Sequence, residues 1–277
     1  KDILAPILGI DDPLMLDNRV SDTEKTAVVI SGTSNAENSE TVTLTITDGS
    51  TIINAFATVT LGSWQTAVLD ISGLADGNID ITADVFDLAD NPATQATKTV
   101  TKDATLPTLA IDATLMTDNI VNDAEKTAVV ISGTSNAENN EIVTLTITGS
   151  TTMNASATVT GGSWQTGGID ISALTDGTIS ITADVFDLAD NPATQATKTL
   201  IKETVAPTLA IDNPLMTDNI VNNTEKSAVV ISGTSNAEDN QIVTLVITDG
   251  STPPISITVN PTVTLGAWTY TANMSLW

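Results

Sequence analysis

One stretch of 19 residues occurs twice in this chain without a single difference. It reads ITADVFDLADNPATQATKT from Ile81 to Thr99 and again from Ile181 to Thr199. A copy of this length, 100 residues further along the chain, indicates that a whole structural unit is repeated in tandem. Any fold proposed for the chain must therefore use this stretch in the same way twice.

The pattern within the copied stretch predicts a β-hairpin. Ile81, Ala83 and Val85 alternate with other residues at the period of a half-buried strand. The residues Asp-Leu-Ala-Asp-Asn-Pro at 87–92 are typical of a turn, and a Thr-rich extended run follows at 94–101. We therefore predict two antiparallel strands that are joined by an acidic loop.

Two further segments recur three times, at a period of about 100 residues, which is the size of one β-sandwich domain. One resembles DNIVNDAEK and the other reads AVVISGTSNAE. The first begins at Asp17, Asp118 and Asp218, and the second at Ala27, Ala128 and Ala228. Each full copy offers about seven short strands separated by turns, and no segment has a sustained helical period. The predicted fold class is all-β, with β-sandwich domains in tandem.

The third copy is incomplete. We place the units at 1–104, 105–204 and 205–277, and the last of them contains no equivalent of the copied hairpin. A sandwich without its last two strands exposes unpaired strand edges, which proteins normally avoid. The pattern leaves two alternatives open: a truncated or rearranged domain with substitute strands from 255–276, or completion by a strand from another molecule.

Charge and composition exclude several functions. The chain carries 34 Asp and Glu against 9 Lys and Arg, a formal net charge of −25, so nucleic acid and anionic membranes would be repelled. It has no His and no Cys, which removes zinc sites, thiolate nucleophiles and the usual general base. No apolar run is long enough to cross a bilayer. We predict a protein that is not an enzyme, does not insert into membranes and has divalent cations as natural counter-ions.

Each unit also carries one Trp at a fixed place, namely Trp64, Trp164 and Trp268. A repeated aromatic residue could stack on a sugar, or it could fill the space between the two sheets of a sandwich. A lone Trp in each unit of a chain with only 3% aromatic residues favours the core position.

The order of these segments resembles a known family. The run AVVISGTS, then ITADVFDLADN, then a linker at 102–107 (KDATLP) that leads to DNIVNDAEK, is similar to the bacterial Ig-like repeats of giant type I-secreted adhesins. That family includes calcium-binding surface adhesins, biofilm-associated proteins and ice-adhesin stalks of Gram-negative bacteria. Two departures are Asp90, where many relatives have Gly, and Glu203, where the first linker has Asp103.

The resemblance implies an all-β chain of tandem Ig-like β-sandwich domains in an extended rod, a stalk whose domain junctions are stiffened by Ca²⁺. On this basis we expect a structural segment of a secreted surface adhesin, located outside a bacterial cell or on its surface, with neighbouring repeats of the same chain as partners. The alternative is a subunit of an extracellular filament, in which other copies of the chain complete the third domain by strand addition.

The chemistry of Ca²⁺ gives an independent reason to examine the acidic loops. The ion takes six to eight oxygen ligands from carboxylates and carbonyls, and extracellular modules bind it weakly. In a seven-stranded sandwich, alternate loops gather at opposite ends, so the exit loops of one unit face the loops at which the next unit begins. We therefore expect Asp103, Asp187 and Asp190 to hold a cation at the first junction. A second junction built on Asp118, Asp123 and Glu203 is expected to be weaker.

The complete set of predicted ligands is Asp17, Asp22, Glu24, Asp76, Asp87, Asp90, Asn91, Asp103, Asp118, Asp123, Asp187, Asp190, Asn191 and Glu203. The competing interpretation is that these residues only form turns and carry solvated charge, because Asp and Asn are common in turns. Their recurrence in register and an expected shortage of basic partners favour the cation.

Overall fold

The computed structural model describes residues 1–275, and these residues form strands, turns and loops without any helix. This confirms the predicted all-β class. No helix among them could therefore span a membrane. The first 204 residues form one compact unit and the residues from 205 onward form another. Leu276 and Trp277, the ends of the predicted segment 255–276 and of the predicted third domain, lie outside the described residues.

Residues 1–104 (repeat 1) and 105–204 (repeat 2) have the same eight strands. In repeat 1 they are β1 Leu8–Ile10, β2 Arg19–Val20, β3 Ser31–Ser34, β4 Thr41–Thr47, β5 Ile52–Thr58, β6 Ser63–Gln65, β7 Gly77–Asp84 and β8 Ala96–Lys102. In repeat 2 they are β9 Leu109–Ile111, β10 Ile120–Val121, β11 Ser132–Ser135, β12 Ile142–Thr148, β13 Thr152–Thr158, β14 Ser163–Gln165, β15 Gly177–Asp184 and β16 Ala196–Lys202.

Each repeat is a sandwich of a three-stranded and a five-stranded sheet. The sheet orders in repeat 1 are β1-β3-β6 and β2-β8-β7-β4-β5, and repeat 2 has the equivalent orders. The copied stretch supplies β7 and β8, which pair antiparallel, so the predicted hairpin is confirmed. On its other side β7 pairs with β4, with Ile81 opposite Ile46. The hairpin is thus the centre of the larger sheet.

The core follows from the alternation of side chains along these strands. Ile79, Ile81, Ala83 and Val85 are all buried on one side of the hairpin strand and its continuation. Strand β4 alternates in the same way and buries Leu44 among others. Successive side chains on a strand point to opposite faces, so every second residue enters the core. Repeat 2 buries the equivalent residues in a separate core of its own.

Each Trp packs against a glycine of the neighbouring strand. Trp64 is buried, and its indole N–H donates a hydrogen bond of 3.2 Å to the Thr33 carbonyl. A Cβ atom on Gly32 would lie 2.5 Å from the Trp64 ring and 2.0 Å from the Gly9 carbonyl oxygen. The Trp residues therefore belong to the core, as predicted, and the glycine is required because no side chain fits beneath the ring.

The third unit contains five strands among the described residues. They are β17 Leu209–Ile211, β18 Val229–Ser235, β19 Leu245–Thr248, β20 Ser256–Val259 and β21 Ala267–Ala272. They form two sheets, β17-β18-β21 and β19-β20. Strand β21 pairs with β18 over six residues, whereas β6 pairs with β3 over three.

The smaller sheets of the third unit leave it with a smaller core. Its main core cluster contains seven buried hydrophobic residues among those described, against nineteen in repeat 1 and eighteen in repeat 2. Val221 is 44% exposed, whereas its equivalent Val121 in repeat 2 is 0% exposed. The hairpin that covers Val121 has no counterpart in the described part of this unit.

The contact between Trp and Gly provides a test of the fold. We expect Gly133→Ala to lower the free energy of unfolding of repeat 2 by about 1–3 kcal/mol or more, because the new methyl group would overlap the Trp164 ring and the Ala110 carbonyl. Hydrogen exchange at the β12 amides measures this change. The control is Gly167→Ala, where a Cβ atom meets nothing within 4 Å. Equal effects of the two substitutions would contradict the proposed packing.

Candidate junction between repeats 1 and 2

The loop that joins the two hairpin strands holds its own shape. In repeat 2, the Asp187 carboxylate accepts hydrogen bonds from the backbone N–H groups of Ala189 and Asn191, each 2.9 Å, and from the Asn191 side-chain amide at 2.9 Å. Asp190 has a φ of 63°, in the left-handed region that Asp tolerates better than most residues. The loop is therefore preformed by its own sequence.

Repeat 1 contains the same loop with the same bonds. The Asp87 carboxylate accepts from the Ala89 and Asn91 backbone N–H groups and from the Asn91 side chain, at 2.8–2.9 Å. The bond from the Asn91 side chain is the main cause that holds the pKa of Asp87 below its usual value. The two loops therefore differ in their surroundings and not in their internal structure.

In repeat 2, the side chain of Asn191 bridges to repeat 1. Its Oδ1 accepts a hydrogen bond of 2.7 Å from the Asp22 backbone N–H, and its Nδ2 donates one of 2.9 Å to the Asp103 carbonyl oxygen. Asn191 is only 1% exposed. A carboxamide can accept and donate at once, which an ionised carboxylate cannot do. Asn191 therefore links the two repeats directly.

The same contact buries more of the loop. Ala189 is 4% exposed, whereas the identical Ala89 of repeat 1 is exposed. The exposed fraction of Leu188 is 45%, against 75% for Leu88. Because the two loops have the same sequence and the same internal bonds, the neighbouring repeat is the cause of the difference.

In repeat 1, a short parallel strand pair positions the two backbone groups that Asn191 binds. Strand β2 runs beside the end of β8, with Val20 opposite Lys102, and the Asp103 N–H donates a 3.0 Å bond to the Val20 carbonyl. The chain then turns at Ser21, whose N–H and hydroxyl both donate to the Glu24 carboxylate at 3.0 Å. The Asp22 N–H and the Asp103 carbonyl are therefore held near each other before repeat 2 binds them.

A buried lysine fixes the end of the last strand in each repeat. Lys102 is 4% exposed and donates to Asp76 at 2.5 Å, and Lys202 donates to Asp176 at 2.7 Å. Burial opposes the shift at Asp76, but the bonds from Lys102 and from the following linker hold its pKa below the usual value. The bond from Lys202 is the main cause that lowers the pKa of Asp176 to about 2.

The end of repeat 2 that faces repeat 1 is strongly acidic. Burial raises the pKa of Glu141, and the nearby charges of Glu138, Asp187 and Asp190 raise it further. Arg19 of repeat 1 acts in the opposite direction and attracts Glu141. The direct contact thus forms against local repulsion between carboxylates, with one arginine to relieve it.

The predicted calcium ligands differ in their exposure and in the hydrogen bonds that they form. Among residues 1–275, no group of three or more acidic side chains is placed so that it could hold a metal ion. Asp17 and Asp118 accept hydrogen bonds from backbone N–H groups two residues further on, both at 2.9 Å. Asp90 and Asp190 are exposed, and the Glu203 N–H donates to the Val121 carbonyl at 3.0 Å. The assignment of these residues to Ca²⁺ stays a prediction.

One assumption behind that assignment is wrong. The sequence suggested that the acidic residues lack basic partners, yet Asp22, Asp76 and Asp123 each form an ion pair. Their partners are Lys25, Lys102 and Lys126. Of the predicted set, Asn191, Asp22 and Asp103 do meet at the junction, but the last two contribute backbone atoms.

Sequence reasoning missed the buried lysines and the attraction between Arg19 and Glu141 across the junction. The recurrence of Lys102 and Lys202 at the same place, in a chain with only 9 basic residues, was the available indication. No corresponding pattern indicated that Arg19 would act on Glu141, because that attraction depends on how the two repeats dock.

No protein-family model matches the sequence, and no curated protein matches it. Solved structures similar to the chain include a tetra-tandem repeat from the extending region of a large adhesion protein, with 28% identity and a TM-score of 0.36. That alignment covers 98% of this chain, which spans 66% of the other. Another is a 1.5-MDa bacterial ice-binding adhesin, with 21% identity, a TM-score of 0.45 and coverage of 99% and 88%.

A third similar structure is a Ca²⁺-stabilized adhesin with which an Antarctic bacterium reaches out and binds ice. It has 24% identity and a TM-score of 0.45, and the alignment covers 99% of this chain and 67% of that one. All three are described as adhesins or adhesion proteins.

The two identical loops allow a matched test of the junction. We expect Asn191→Ala to destabilise the contact between the repeats by about 1–3 kcal/mol more than Asn91→Ala, because only the loss of Asn191 leaves a part-buried N–H and a part-buried carbonyl of repeat 1 without partners. Both substitutions remove the same bond within the loop, so this contribution cancels. Hydrogen exchange at the Asp22 amide measures the difference. Equal protection of that amide in the two variants would contradict the bridge.

The ion pair of Lys202 and Asp176 gives a pH-dependent prediction. A carboxylate whose pKa is lowered on folding contributes stability that is complete above its ordinary value of 3.8 and disappears as the pH falls through about 2. We therefore expect Asp176→Asn to lower the melting temperature of repeat 2 at pH 7 and to have little effect near pH 2. Scanning calorimetry across this range tests the effect. A difference that stays constant with pH would show that the charge does not matter.

Proposed function

We propose that this chain is a stalk segment of a bacterial surface adhesin, which holds other parts of the protein away from the cell. The observation that carries the proposal is the direct, buried junction between repeats 1 and 2, made by a loop that the sequence repeats without change. A stalk needs units that fold alike and connect in a fixed way. The absence of His and Cys supports a role without catalysis.

The proposal includes a location outside the cell. Its support is the resemblance to secreted adhesin repeats and a composition in which Asp and Glu outnumber Lys and Arg by 34 to 9. Strong net charge keeps exposed proteins soluble and separate. The partners of each repeat are the repeats before and after it in the same chain.

Stiffening by Ca²⁺ is a second part of the proposal, and it is separable from the first. The acidic end of repeat 2, where the charges of Glu138, Asp187 and Asp190 raise the pKa of Glu141 after burial, supports it. The described residues do not form a three-carboxylate cluster there, and Asn191 connects the repeats by its own hydrogen bonds. Calcium would act on the repulsion between carboxylates and would add to a contact that already exists.

The stalk proposal is tested by changing the number of repeats. Further copies of residues 105–204 are inserted after Thr204, and the maximum dimension is measured by small-angle scattering. We expect each copy to add the same increment of length, because each new junction repeats the Asn191 contact. A dimension that grows more slowly than the number of repeats would contradict the proposal.

The calcium part is tested by melting and scattering with Ca²⁺ and with a chelator. We expect the chelator to lower the melting temperature and to permit slightly more bending at the junction of repeats 1 and 2, which the Asn191 bonds still hold together. If neither the melting temperature nor the maximum dimension responds, calcium stiffening is wrong, while the constant increment per repeat can still hold.

A second candidate function is that of a filament subunit that assembles by strand addition. One observation favours it: among the described strands, β19 pairs with β20 alone and leaves its other edge free. Free edges invite pairing with another chain. Sedimentation velocity at increasing concentration tests this candidate, and a monomer at all concentrations would exclude it.

A further inference from the structure

The third unit keeps the strand on which the copied hairpin is seated in the other repeats. The sequences are VTLTIT at 42–47, VTLTIT at 143–148 and VTLVIT at 243–248. Strand β12 has β13 on one side and the hairpin strand β15 on the other. Strand β19 has β20 in the place of β13, and no described strand takes the place of β15.

The pairing of β12 with β15 defines what a partner of β19 must provide. Leu145 lies opposite Ala183 and Ile147 opposite Ile181, and all of these side chains are buried. A shift of the register by one residue would turn Thr182 into the core in place of Ile181. A strand that pairs with the free edge of β19 must therefore have its apolar residues at the positions equivalent to Ile181 and Ala183, and polar residues between them.

The third unit also has an open space where the second hairpin strand would lie. A cavity of about 400 Å³ is lined by Val221, Asn222, Asn223, Lys226 and Met274. In repeat 2, the equivalent Val121 pairs with Lys202 of β16 and is completely buried. The free edge and the cavity thus correspond to the two strands of a single hairpin.

We propose that the third unit binds a β-hairpin of the sequence type of residues 177–202, in the register that β12 and β15 use. The inference goes beyond the second candidate function: both use the free edge of β19, but the inference specifies the segment that binds and does not require the chain to assemble. The first strand of the hairpin pairs with β19 and turns its apolar side chains into the core. The second strand pairs with 220–221 and covers the cavity.

The occupant is a hairpin that is free to pair, and not the folded hairpin of another copy. In repeats 1 and 2 the hairpin already pairs on both sides, with β4 or β12 and with β2 or β10. Release of the hairpin from a folded copy would break both of these pairings. The same sequence seated on the same acceptor strand twice in this molecule is what identifies the occupant.

The first experiment adds a peptide of residues 176–203 to the complete chain. We expect binding and a gain of at least tenfold in hydrogen-exchange protection at the amides of Leu245–Thr248. Two control peptides carry Ile181→Lys, on the buried side, and Thr182→Lys, on the partly exposed side. The first should lose binding and the second should keep it.

The second experiment supplies the hairpin in the same chain, which avoids aggregation of the peptide. The Met274 N–H donates to the Lys226 carbonyl at 2.7 Å, as the Ile171 N–H donates to the Lys126 carbonyl at 2.8 Å. Ser275 therefore stands where Ser172 stands, and a chain that continues from Ser275 with residues 173–204 places the hairpin in register. We expect the third unit of this variant to melt at a higher temperature.

The outcomes separate the inference from the candidate function. If the hairpin protects β19 and the chain alone stays monomeric, the inference holds and the filament is excluded. If neither the peptide nor the continued chain protects β19, the inference is wrong. It is also wrong if the Ile181→Lys peptide binds as well as the parent, or if the chain assembles and the hairpin does not compete with that assembly.

Discussion

The pairing of the copied hairpin with its acceptor strand is the interaction on which each complete repeat depends. It supplies the buried residues Ile79, Ile81, Ala83 and Val85, and in repeat 2 it carries the loop that contacts repeat 1. The third unit shows the consequence of its absence among the described residues. The acceptor strand is present there, but the core is small and Val221 is exposed.

The junction illustrates how a very acidic chain can join its own domains. Burial raises the pKa of Glu141, and the other carboxylates at the end of repeat 2 that faces repeat 1 raise it further. A further anionic contact at this end would therefore be unfavourable. Asn191 avoids this problem because its side chain is neutral and can accept and donate. The bonds from Asp187 orient Asn191, and the parallel pair of β2 and β8 orients the groups that it binds.

The sequence predicted the fold well and the site only in part. Alternation in Ile81–Val85 and exact duplication were sufficient for the hairpin, the all-β class and the buried Trp residues, because these depend on local period and size. The hydrogen bonds of Asn191 to repeat 1 were not predicted. The sequence of an acidic loop that contains Asn is the same whether the Asn binds a cation or the backbone groups of a neighbouring domain. The docked loop and the exposed loop are identical, so only the surroundings distinguish them.

Direct hydrogen bonds should make repeats 1 and 2 move as one body in solution. Nitrogen-15 relaxation of the backbone amides, recorded with a chelator present, measures how each repeat rotates in solution. We expect a single rotational diffusion tensor to fit the amides of both repeats, because Asn191 holds them together without an added ion. Two separate correlation times, one for each repeat, would contradict the claim.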